Sequence, residues 1–178
     1  MLTRKASAVL FVFAVCIGLS AQQDKSKRPS PPAQAQCKFS DGKTITVDYS
    51  SPRVKGRKIF GDLVPYREVW RTGANEATAF ATTANLSVEG KDVPAGNYTI
   101  FTIPAQDKWT LIINKHTGEW GIPYKYESEE LARVPMSVSK TSGPVENFTI
   151  GLDQAGGSCT IKISWESTEA SVKFSEKK

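Results

Sequence analysis

Histidine is almost absent from this chain of 178 residues, and cysteine occurs three times. His116 alone excludes a multi-histidine metal centre, and neither a His-x-His nor a His-Glu-x-x-His pattern occurs. No zinc site of the ordinary kind and no cofactor is expected. No Gly-x-Ser-x-Gly elbow is present to couple a serine to that histidine, and no Cys-x-x-Cys is found. His116 lies in Asn114-Lys115-His116-Thr117-Gly118 and reads as an exposed turn residue. Long helical periodicity is missing too, which removes the crossovers a doubly wound parallel sheet needs. A sustained basic stripe is also lacking. The one dense cluster, Arg53, Lys55, Arg57 and Lys58, has no interleaved aromatic, which argues against a nucleic-acid partner and for a solvated loop about Gly56.

The N-terminus reads as a secretory signal peptide over residues 1–21. Arg4 and Lys5 form its positive head, residues 8–19 an uncharged apolar run, and Ser20 and Ala21 a small-residue cleavage site. That run is shorter than the about twenty residues a membrane span needs, so no transmembrane segment is expected in the mature chain. The chain has 23 Lys and Arg against 18 Asp and Glu; loss of Arg4 and Lys5 leaves an excess of only about three. Cys16 would leave with the leader. Cys37 and Cys159 then form the pair for a single disulfide in an exported, periplasmic or extracellular protein. Residues 22–36, rich in Gln, Lys, Ser, Pro and Ala without periodicity, read as a disordered tether. Residues 37–174 read as one β-domain, and 175–178 as a frayed tail.

From Lys43 onward the apolar residues alternate. Ile45, Val47 and Tyr49 share one face, as do Trp109, Leu111 and Ile113. Leu86 with Val88, Tyr98 with Ile100, Val134 to Val138 and Phe148 to Leu152 repeat the period. Residues 161–165 are expected to pair with 172–174 through a turn at 166–170. Helix is expected only as single turns, near Ser128 to Ala132 and near Leu63 to Val69. Eight or nine short strands without crossovers predict an all-β fold, an antiparallel β-sandwich or jelly-roll-like barrel. The alternation fails between Ser50 and Val69, where Pro52, Gly56, Gly61 and Pro65 punctuate a long connection of the sort that often carries function.

That connection ends in Val69-Trp70-Arg71-Thr72-Gly73-Ala74-Asn75-Glu76-Ala77-Thr78. Gly73 marks a bend that needs positive φ or a close backbone approach. Around it, Arg71 offers a fork for carboxylate or phosphate, Asn75 a donor and an acceptor, and Glu76 a proton acceptor if burial raises its pKa. Trp70 would wall a pocket. The competing structural reading has Arg71 paired with Glu76, Asn75 bonded to its own backbone and Trp70 in the core. Glu119 and Trp120 form a second polar and aromatic patch that, with Trp70, would suit sugar rings. A Glu119–Glu76 separation of about 5 or 9 Å would favour a glycosidase. Asn85, Asn97 and Asn147 head Asn-x-Ser/Thr triplets, a pattern that arises readily by chance.

Residues 51–61, 63–66 and 69–78 together resemble the hallmark run of an exported bacterial family known as domain of unknown function 2911. Pro94-Ala95-Gly96-Asn97-Tyr98-Thr99, Phe101-Thr102-Ile103-Pro104 and Trp120-Gly121 resemble its later blocks. The resemblance spans residues 37–174 and implies a periplasmic or extracellular protein. It implies no activity, cofactor or catalytic residue, and carries over only Arg53, Lys58, Trp70, Arg71, Asn75 and Glu76. Arg67 stands where similar sequences often have a small residue such as Gly, which implies an exposed position.

Three functions are compatible with these residues. The first is a ligand-binding β-domain, with a small polar or carbohydrate ligand held by Trp70, Arg71, Asn75, Glu76, Trp120 and Lys58. The second is a metal-independent hydrolase or isomerase using Glu76 as acid or base. The third is a structural or interaction module of the cell envelope. No residue pattern speaks to oligomeric state.

Overall fold

A computed structural model describes residues 24–177; the expected signal peptide and Cys16 lie outside the described residues. Nine antiparallel strands build one sheet: β1 (Pro32–Lys38), β2 (Thr44–Ser50), β3 (Thr78–Thr82), β4 (Leu86–Val88), β5 (Lys91–Val93), β6 (Gly96–Ile103), β7 (Lys108–Asn114), β8 (Glu130–Ala155) and β9 (Ser158–Glu176). Their hydrogen-bonded order is β1-β2-β3-β6-β7-β8-β9-β4-β5. The all-β expectation therefore holds, and the arrangement is consistent with a β-sandwich. Closure into a barrel is not seen, since β1 and β5 end the order. The sheet nonetheless folds over itself: Cys37 on the edge strand β1 is disulfide-bonded to Cys159 on β9, with Cα atoms 6.2 Å apart. Both cysteines are buried in the core.

The alternation read from the sequence lands on β2, β4, β6 and β7, where Ile45, Val47, Leu86, Val88, Ile100, Trp109, Leu111 and Ile113 are all buried. Three readings change. The stretches around 134–138 and 148–152 are one long strand, β8, whose register slips between Lys140, Val145 and Thr149. Residues 161–165 and 172–174 do not pair with each other; both lie on β9 and pair with β8 or β4. Glu166 takes φ +57 there, so the chain bends within the strand rather than turning back. The turn expected near Ser128 is a 3-10 turn at Glu127–Glu129, whereas residues 63–69 hold turns and one bridge, at Val64, but no helix.

The expected tether also becomes structure. Pro32 to Lys38 pair with Ser50 to Thr44, residue for residue, and a 3-10 turn at Lys25–Lys27 precedes them. An edge strand that buries little beyond Cys37 has no apolar alternation to betray it. At the other end, Glu176 pairs with Leu86 and its carboxylate accepts from Lys43 Nζ at 2.9 Å. The tail is held rather than frayed there.

The core beneath the long connection is aromatic. Phe60, Trp70, Trp109, Phe148 and Trp165 contact one another with centroid separations from 4.9 to 6.3 Å. Bridges from Arg53 to Asn147 and from Trp70 to Thr102 pin this connection to β8 and β6.

Candidate functional site

Trp70 is partly buried and packs against the core. Its main chain exchanges both hydrogen bonds with Thr102, at 2.8 and 2.9 Å, and its ring stacks on Trp165 at 6.0 Å with planes 13° apart. The indole N–H donates to the Gly73 carbonyl at 3.1 Å. Beyond it the chain folds tightly: Thr72, Gly73 and Asn75 all have positive φ, at 58°, 153° and 57°. Glycine at 73 answers both needs read from the sequence, because a Cβ there would lie 3.0 Å from the Ser50 carbonyl oxygen. The Thr78 hydroxyl donates to the Thr72 carbonyl at 2.7 Å and closes the loop onto β3.

Arg71 and Glu76 do not pair. The Arg71 Nη1 donates to the carbonyls of Asn75 and Trp120, at 2.6 and 3.3 Å. Its guanidinium carbon sits 5.4 Å from the centre of the exposed Trp120 ring, a cation–π contact. Burial draws the guanidinium below its ordinary pKa, but arginine stays charged. Glu76 turns instead to the N-terminal segment. Arg28 Nη1 reaches both its oxygens, at 3.0 and 2.9 Å, and Lys25 Nζ lies at 3.3 Å. Glu76 is held down to about 2, chiefly by a hydrogen bond from its own backbone N–H and then by Arg28 and Lys25, against the opposing effect of burial. Asn75 spends its amide on the same segment, donating Nδ2 to the Ser30 carbonyl at 3.0 Å.

The residues named from sequence therefore divide. Trp70 and Arg71 line a cavity of about 350 Å³; Asn75, Glu76 and Lys58 do not. Trp120 is not part of the lining either; it only contacts the lining residue Arg71. The long connection also contributes Arg57, Leu63, Val64, Pro65 and Glu68 to the lining. Ile122 and Trp165 complete much of the wall. Sequence reasoning missed Arg57, Leu63, Glu68 and Ile122 as site residues. Their one signal was membership of a connection too long and too punctuated to be a mere link.

Glu119 is buried with 8% of its surface exposed, and neither carboxylate oxygen has a partner among the described residues. Its carbonyl accepts from the Ala77 N–H at 3.1 Å, next to Glu76. His116 stacks on Tyr126 at 4.4 Å, with Nδ1 3.1 Å from a Glu129 oxygen. Among the described residues no group of three or more His, Cys, Asp or Glu is placed to hold a metal ion, and no helix is long and apolar enough to cross a membrane.

Together these features define a class of protein: an all-β domain, tied across its sheet by one disulfide, with a long signature connection walling a cavity. The chain belongs to the family described as "Protein of unknown function (DUF2911)", whose model matches residues 30–174. No curated protein and no solved structure matches it.

Proposed function

We propose that this protein is an exported β-domain that binds a small ligand in the cavity beside Trp70 and Arg71. The observation that carries this reading is the cavity itself. It has a volume of about 350 Å³, at the lower end of the usual range for ligand sites, and mixes apolar walls with a few charged groups as such sites do. The family's signature residues Trp70 and Arg71 form part of its lining. A buried disulfide suits an oxidising compartment outside the cytoplasm.

The enzyme reading that uses Glu76 gains no support. A carboxylate drawn down to about 2 and clamped by Arg28 and Lys25 is a poor proton donor and a weak base near neutrality. A purely structural role predicts an unresponsive cavity. Thermal melting of wild type and Arg71→Gln against a panel of sugars and organic acids separates the two. Binding raises the wild-type midpoint by several degrees at saturating ligand, and Arg71→Gln loses most of the shift. An unchanged midpoint with every compound contradicts the ligand-binding reading.

A further inference from the structure

The chemistry of the lining narrows the ligand class, given that the cavity binds a ligand as proposed above. The large apolar side chains exposed among the described residues are Leu63, Trp120 and Ile122. Leu63 and Ile122 line the cavity, and Trp120 lies against the lining residue Arg71. Single exposed hydrophobics are ordinary; a group gathered about one opening marks a surface that meets something apolar. The polar lining side chains are two guanidiniums, Arg57 and Arg71, and one carboxylate, Glu68.

Each guanidinium is anchored along part of its edge by main-chain carbonyls. Arg57 donates Nε to Val54 and Nη2 to Arg53, and Arg71 donates Nη1 to Asn75 and Trp120. Among the described residues no acceptor takes Nη1 of Arg57, or Nε and Nη2 of Arg71. The last two are parallel N–H groups on one guanidinium edge, spaced to meet the two oxygens of a carboxylate. Anchoring at Nη1 fixes that edge before any ligand arrives, which lowers the entropy lost on binding. A sugar is served less well. The Trp70 ring stacks on Trp165 and is hemmed by Phe60, Trp109 and Phe148, and Arg71 already covers one face of Trp120.

We propose that the cavity takes an amphiphilic carboxylate, its anionic group on the Nε and Nη2 edge of Arg71 with Arg57 beside it, and its aromatic ring or short aliphatic chain along Leu63, Pro65 and Ile122. Titration calorimetry of the full mature chain tests this with phenylacetate and octanoate, their neutral amides, and glucose. The carboxylates should bind at least tenfold tighter than their amides. Arg57→Gln, on an exposed loop, should shrink that preference, Arg71→Gln should abolish it, and Leu63→Ser should weaken acid and amide alike. Circular dichroism melts show which variants fold, and Arg57→Gln with Leu63→Ser decide the matter if Arg71→Gln does not. Equal affinity for acids and amides, or binding of glucose alone, overturns the ligand class while leaving the cavity as a binding site. Failure of every compound to bind overturns both.

Discussion

Arg67 holds a backbone conformation that side chains rarely adopt. Its φ is +67° and its side chain is exposed, so a residue with a Cβ sits where glycine is at ease. The resemblance implied exposure at this position, and the side chain is exposed. Glu119 is the opposite case, a residue whose oddity no spacing could announce. A carboxylate buried without a hydrogen-bond partner is destabilising by about 1–3 kcal/mol or more. Glu119→Met should therefore stabilise the fold by a comparable amount in urea unfolding. A less stable Glu119→Met protein would mean that the carboxylate has a partner in solution.

The N-terminal segment and the signature loop act as a pair of elements. Arg28 and Lys25 grip Glu76, Ser30 receives Asn75, and β1 continues along β2 to the disulfide. Asn75 and Glu76, read from sequence as ligand contacts, thus hold the loop to a segment read as a tether. Because the folded-state pKa of Glu76 is depressed, its contribution is fully present above its ordinary value of 4.5 and is lost as pH falls through about 2. Its side chain is 41% exposed, so solvent screening keeps the contribution under about 1 kcal/mol. Glu76→Gln should be destabilised by that small amount at pH 7, and the gap to wild type should close between pH 4.5 and 2. A gap that persists at pH 2 would assign the loss to packing rather than to charge. The strands that the sequence did reveal are those with one apolar face, such as β2 and β7. β1 and β5 were not legible because they bury almost nothing of their own; β3 was missed because its buried positions are Thr78, Phe80 and Thr82, only one of them apolar; and β8 and β9 were split because their register slips interrupt the period.

At the scale of the whole molecule, the Cys37–Cys159 bridge spans a sequence separation of 122 and joins the first strand to the last. Restricting the unfolded chain over such a loop stabilises the fold by roughly 4–5 kcal/mol. Reduction under native conditions should lower the melting midpoint by about 10–20 degrees, and the Cys37→Ser/Cys159→Ser double variant should match the reduced protein. An unchanged midpoint would show that β1 contributes little to the cooperative unit. The pairing of these cysteines, the all-β class and the family all followed from composition, period-two alternation and one long motif, because each is a property of local sequence or of counting. Which polar residues face a cavity did not follow. Arg71 is brought to Trp120 and Ile122, and Glu76 to Arg28, only when strands far apart in the chain pair and the long connection folds over the aromatic core. Side-chain partners across such distances depend on register and backbone bend, and those are decided by the packed sheet.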